Sequence, residues 1–427
     1  MARADFAIDG TFYVDRMLVR TSIGIKGGRI TGIKKNVEAY ERESFDNSII
    51  IPGAIDLHVH FREPGLTHKE DITTGSTSAV FGGVTTVVDM PNTVPPTTTP
   101  ERLSKKLELY SGKSFVDYGA FASLMPGGRV AKLAEQASGF KLFMGSSTGE
   151  LMCSDPVQQS KLIEAAAGTS RPVVVHAEDE ALRNRISEYN LRDHYRSRPP
   201  ECEIEAVRRL IRFAESPSKP RIHVAHVSTR EAAEMKHGDN VTFEVTPHHL
   251  LLDSEMPLKA CGKVNPPLRR RDDRIALMKL VNADKMDTFG SDHAPHTREE
   301  KEDEFDYAPA GIPGVETMLP LLLQLVETGE LKLSTLVRMI SEKPAEILGA
   351  RKGRIAVGYD ADIVVVNMRK IRTVDASALH SKCGWSPFDG HLAIFPEKVY
   401  LRGRKVVDGQ ALIGKPQGMA VHGVPDG

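Results

Sequence analysis

The stretch Ser48-Ile49-Ile50-Ile51-Pro52-Gly53-Ala54-Ile55-Asp56-Leu57-His58-Val59-His60 sets two histidines, one residue apart, at the end of an apolar run. Side chains alternate across a strand with period two, so His58 and His60 are expected on one face as a chelating pair. The run from Ser48 to Ile55 is apolar enough for a buried strand, which puts the pair at a carboxyl end, where α/β barrels assemble their sites. Outward from it, seven more apolar runs alternate with amphipathic stretches, at 85–90, 115–122, 140–144, 172–177, 221–227, 241–246 and 287–293. Eight such units over roughly 290 residues match a (β/α)8 TIM barrel of the α/β class. A doubly wound sheet fits less well, because no glycine-rich GxGxxG turn follows the first strand.

Both ends of the chain read differently. Residues 6–51 and 352–412 alternate short β-rich runs with Gly and Asp turn signals, so the two arms are expected to form one small β-sandwich. The expected division is residues 1–50 with 345–427 for the sandwich and 51–344 for the barrel. Residues 298–306 (REEKEDEFD) read as a charge-dense loop placed to act as a lid. The 427 residues balance 56 Lys and Arg against 57 Asp and Glu, leaving no excess charge to attract nucleic acid or an anionic membrane. No apolar run nears the roughly 20 residues of a membrane span, and the first residues lack the blocks of a signal peptide, so a cytoplasmic protein with a small-molecule partner is expected. Cys153, Cys202, Cys261 and Cys383 form no CxxC pair and read as inert thiols.

Six residues that could hold a metal sit in or at the ends of expected strands: His58, His60, Lys141, His176, His226 and Asp292. A lone histidine on an apolar strand is usually a hydrogen-bonded core residue; their joint placement reverses that expectation. Imidazoles and a carboxylate without thiolates suit zinc or a similar divalent ion, with a coordination position left for water. Lys141 is the odd member, since an ammonium cannot ligate a cation, and the plain alternative is an ion-paired lysine. A lysine desolvated inside a barrel loses its proton readily, however, and the neutral amine can add carbon dioxide to give a carbamate with two bridging oxygens. Adjacent His248 and His249 would face opposite sides of a strand and are left out of the metal shell, as is His223, three residues before His226 and expected on the opposite face. His68, His194, His237, His380, His391 and His422 take the structural default.

These residues resemble the amidohydrolase superfamily over nearly the whole chain. Within it, three ordered motifs are similar to those of the dihydroorotase family: His58-Val59-His60-Phe61-Arg62-Glu63-Pro64-Gly65, Asp89-Met90-Pro91-Asn92-Thr93 and Ser291-Asp292-His293-Ala294-Pro295-His296. Phe140-Lys141-Leu142-Phe143-Met144 resembles the version with a carboxylated lysine. The resemblance implies two zinc ions, one held by His58, His60 and Asp292, the other by His176 and His226, with N6-carboxylysine at Lys141 between them. It further implies a bridging hydroxide as nucleophile and Asp292 as general base and acid in the reversible hydrolysis of dihydroorotate to N-carbamoyl-aspartate, a step of pyrimidine synthesis. Arg62 suits a substrate carboxylate, which a guanidinium holds with two hydrogen bonds, and Asn92 and His296 are implied to help it. Asn265, Pro313 and Gly314 resemble pyrimidine-ring contacts. A homodimer is a further implication. The competing readings are an allantoinase, a dihydropyrimidinase-like cyclic amidase, and a silent scaffold for a pathway complex; the clamp of Arg62 and Asn92 speaks against neutral rings, and the full ligand set against a silent paralogue.

Overall fold

The computed structural model describes residues 3–146 and 151–421; His422 lies outside them. Eight parallel strands, Ala54–Val59, Val84–Asp89, Asp117–Ser123, Gly139–Phe143, Val173–His176, Ile222–Val224, Val241–Val245 and Thr288–Phe289, pair in chain order. A bridge between Val59 and His293, with the His60 amide donating to the His293 carbonyl at 2.8 Å, closes the sheet into a barrel. Every residue of these strands is buried, because helices cover the outside and side chains fill the inside. Ile55, Leu57, Val88, Phe121, Val174 and Ala225 fill the interior, while Val87, Ala120, Val175, Val224 and Phe243 belong to the larger core beneath the helices.

A second eight-stranded sheet draws on both chain ends. Its strand Ala39–Pro52 pairs in parallel with Ala4–Val14 and antiparallel with Ile363–Val366, and its core gathers Ile8, Phe12, Ile23, Ile50, Ile363 and Val365. The apolar run ending at His60 is therefore not one strand. It splits at Gly53, whose amide donates to the Asp362 carbonyl at 2.9 Å, so that residues up to Pro52 serve the second sheet and Ala54 onward the barrel. A Cβ on Gly53 would meet Thr85 Oγ1 at 2.2 Å, so the changeover needs glycine.

The segment after the last barrel strand also departs from expectation. Residues Arg298–Glu302 form a short helix with a capping box, Thr297 and Glu300 each accepting the other's backbone amide. Its Lys301 is buried and donates to the carbonyls of Pro309 at 2.8 Å and Gly311 at 3.1 Å, which ties the following loop down. Among the described residues no helix is long and apolar enough to cross a membrane.

Candidate metal centre

The first strand ends at Val59, and a register shift between Asp56 and Val59 sets the phase in which His58 and His60 both turn inward. Their Nε2 atoms each lie 3.2 Å from Asp292 Oδ1, and the three residues offer ligand atoms all within 4.8 Å of one another. The other ring nitrogens are spoken for: His58 Nδ1 lies 2.8 Å from Glu244 Oε1, and His60 Nδ1 lies 2.7 Å from Asn92 Oδ1. Each acceptor fixes the tautomer that leaves Nε2 with a lone pair aimed at the centre. Glu244 also accepts the His226 amide at 3.0 Å, joining the two halves of the site.

His176, the last residue of its strand, points Nδ1 at His226 Nε2 across 3.0 Å, while its Nε2 lies 2.9 Å from Glu178 Oε2. Arg198 Nη1 donates to the same carboxylate oxygen at 2.5 Å and closes the charge balance. His58 and His226 rings stand 5.3 Å apart, so the second pair adjoins the first. Lys141 is buried and its Nζ has no hydrogen-bond partner. Burial lowers its pKa to about 8, against the opposing charges of Asp292 and Glu244. Burial likewise pushes His60 down to about 4 despite Asp292, and holds His226 well below the ordinary imidazole value. Neutral imidazoles are the ligating form. Burial would raise the Asp292 carboxyl, but the imidazoles of His58, His60 and His226 that surround it hold it well below the ordinary carboxylate value. The donor set fits divalent cations: facing imidazole nitrogens, an ionised acid, and the buried Lys141 Nζ and His226 Nδ1 with no partner of their own.

Beside this centre, a pocket is walled by His60, Arg62, Asn92, Asn265, Asp292, Ala294, Ala310 and Gly311. Arg62 reaches it although the strand does not continue, because the backbone turns left-handed there with φ of 63°. It is 1% exposed and donates through Nε to the Pro295 carbonyl at 3.1 Å. Burial lowers its pKa to about 10, so it stays cationic at neutral pH. Asn265 Oδ1 is buried with no hydrogen-bond partner. His296 sits behind the guanidinium, 3.1 Å from Arg62 Nη2 and 3.1 Å from the Ala310 carbonyl. Pro313 and Gly314 line a separate cleft with His293, whose Nδ1 accepts the Gly314 amide at 3.1 Å. Ala310 and Gly311 take the place on the wall instead; a Cβ on Gly311 would meet the Ala294 carbonyl at 2.5 Å.

Two sequence readings of histidine geometry are corrected. His223 lies in the barrel interior, 2.8 Å from Thr242 Oγ1 and 3.7 Å from Glu244, on the same side as His226. The strand ends at Val224, and a left-handed turn at His226 (φ 40°) breaks the alternation. His248 and His249 lie on a short helix, Pro247–Leu251, capped by Thr246, so strand alternation does not govern them. Glu244 and Glu178 carried no motif. Their one signal was position: an acid inside the apolar VTFEVT run, and another two residues after His176.

A (β/α)8 barrel gathering imidazoles and an acid at its carboxyl end defines a hydrolase of the metal-binding kind. The chain belongs to the amidohydrolase family, whose model matches residues 49–384. It is 41% identical over 420 residues to a dihydroorotase of Thermoplasma volcanium, covering 98% of each chain, and 40% identical to that of Thermoplasma acidophilum with the same coverage. A dihydroorotase of Methanosarcina acetivorans is 37% identical, covering 95% of this chain and 92% of that one. Among solved structures, the L-hydantoinase (dihydropyrimidinase) of Arthrobacter aurescens superposes with a TM-score of 0.92 at 29% identity, covering 98% of this chain and 100% of that one. The dihydropyrimidinase of Brevibacillus agri gives 0.88 at 27% identity, covering 98% and 99%.

Proposed function

We propose that this chain is a dihydroorotase, opening and closing the cyclic amide between dihydroorotate and N-carbamoyl-aspartate in pyrimidine synthesis. Fold alone leaves the substrate open, since the solved neighbours above are hydantoinases and dihydropyrimidinases. The observation that carries the choice is Arg62, buried on the pocket wall next to His60 and Asp292. A ring bearing a carboxylate gives that guanidinium an ion partner inside the pocket; a neutral hydantoin or dihydropyrimidine leaves it with the Pro295 carbonyl and His296 and adds none. The dihydroorotases matched over nearly the full chain support the same choice.

We assign His58, His60 and Asp292 to one zinc ion, His176 and His226 to a second, and a carboxylated Lys141 between them. The unpartnered Lys141 Nζ, whose pKa burial lowers to about 8, supports that modification. When bound, such ions lower the pKa of coordinated water towards neutrality and polarise the carbonyl under attack. Arg62 and Asn92 bind the substrate carboxylate, with His296 steadying the guanidinium from behind. Asn265 and the Ala310–Gly311 backbone face the ring from the same wall. Asp292, ionised at neutral pH, accepts the proton of the attacking water at a carboxylate oxygen and returns it to the departing ring nitrogen. We also propose residues 51–344 as the catalytic unit and 1–50 with 345–427 as a smaller one, supported by the strands that both ends give to the second sheet.

An ultraviolet assay of zinc-supplied protein with dihydroorotate, allantoin and dihydrouracil side by side tests the reading. Dihydroorotate is expected to be the preferred ring; preference for either of the others overturns the assignment.

A further inference from the structure

Beneath the pocket lies an ion pair that the proposed chemistry does not use. Lys106 Nζ is 2.8 Å from Asp89 Oδ2, and the two side chains are 1% and 0% exposed. Lys106 belongs to the helix Pro100–Tyr110, whose buried stripe is Leu103, Lys106 and Tyr110, so an ammonium stands where an apolar side chain would pack. Asp89 ends the second barrel strand. A buried salt bridge is on average no more stabilising than apolar residues of the same shape, so stability does not account for this pair.

Its other contacts do. Asp89 Oδ1 accepts the Phe61 amide at 3.1 Å, one residue before Arg62 with its left-handed φ of 63°. Lys106 Nζ donates to the Met90 carbonyl at 2.5 Å, two residues before Asn92. The Met90 amide in turn donates to the Val59 carbonyl at 2.9 Å, lacing the two strand ends together. A non-glycine residue in the left-handed region is held there only by its surroundings. Here the Leu66 amide donates to the Arg62 carbonyl at 3.0 Å and the Glu63 amide to the Phe61 carbonyl at 2.7 Å, while Asp89 fixes the amide just before the turn. One ion pair thus anchors the chain just before each residue assigned to the substrate carboxylate, at Phe61 before Arg62 and at Met90 before Asn92.

Resting on the dihydroorotase reading, we infer that Asp89 and Lys106 are positioning residues that set the spacing of Arg62 and Asn92 and thereby the selectivity for a ring bearing a carboxylate. Neither side chain lines the pocket, so their effect runs through binding geometry.

The test compares Asp89→Asn, Lys106→Met and the double variant in the zinc-supplied protein, measuring kcat, KM for dihydroorotate and bound metal. The double variant leaves no lone buried charge, so it keeps the question open to experiment if either single variant fails to fold. KM is expected to rise about tenfold or more, with kcat within about threefold and metal content as in the parent. An unchanged KM, whatever happens to the melting temperature, overturns the inference, as does a fall in kcat with KM constant; both leave the dihydroorotase reading standing. A parent protein that fails to open dihydroorotate removes that reading and this inference together.

Discussion

Two of the buried lysines in this molecule, Lys141 and Lys352, are in opposite condition. At the carboxyl end of the barrel, Lys141 Nζ has no hydrogen-bond partner, and burial takes its pKa down to about 8. At the other end, Lys352 Nζ lies 2.6 Å from Asp117, 2.6 Å from Asp362 and 3.1 Å from Asp360. Burial pulls it down too, but the three carboxylates outweigh that and hold it above its ordinary value. Leaving the lysines aside, the clusters look alike: Asp117, Asp360 and Asp362 bring ligand atoms within 4.8 Å of one another, as His58, His60 and Asp292 do. Convergence of ligand atoms is therefore no mark of a cation site by itself. What separates the two is how the neighbouring lysine is held: Lys352 Nζ lies against all three carboxylates of its cluster, whereas Lys141 Nζ has no hydrogen-bond partner.

The largest effect that can break this contrast is expected at Lys141. Lys141→Ala removes the proposed bridge, and turnover of dihydroorotate is expected to fall by at least about 100-fold, with metal content reduced. Short carboxylic acids should restore part of the rate by supplying oxygens in its place. Near-normal turnover of the untreated variant would refute the bridging role. Lys352→Met is expected to act on folding instead, since it leaves three acids without their ammonium, a loss of about 3–5 kcal/mol read as a lower denaturation midpoint. Turnover per folded molecule should hold. The pH dependence has a definite sign: a lysine whose folded pKa lies above its unfolded value of about 10.5 contributes fully below that pH, and less as pH climbs through the folded pKa. The stability gap between parent and variant should thus be widest near neutrality and narrow above about pH 10.5.

The same contrast explains what was legible in the sequence. Strands buried on both faces read as continuous apolar runs, which is why all eight barrel strands stood out. The same continuity hid the changeover at Gly53, because only the nearby Thr85 side chain demands a glycine there. His58, His60 and Asp292 were visible through spacing and motif. Period-two alternation puts His223 on the wrong face because it assumes an unbroken strand, and the left-handed turn at His226 is a local conformation that no pattern announces. Residues 298–306 read as a loop because charge outweighed the T-x-x-E capping signal at Thr297 and Glu300. Glu244 and Glu178 stayed hidden because a carboxylate that orients an imidazole is recognised by its partner, and partners come from distant strands. The Lys352 cluster was silent for the same reason: Asp117 and Asp362 are 245 positions apart as numbered.

The smallest effect sharpens the contrast most finely, since it asks how many carboxylates Lys352 needs. Asp360 is its most distant partner at 3.1 Å and, at 20% side-chain exposure, the most solvated, against 2% for Asp117 and 3% for Asp362. Water already screens its charge, and removing it leaves the ammonium with two acids at 2.6 Å. Asp360→Asn is therefore expected to cost no more than about 1 kcal/mol in chemical denaturation, whereas Asp362→Asn, which removes a fully buried partner, should cost several times that. Equal losses would mean that Lys352 draws on the three acids as one undivided charge.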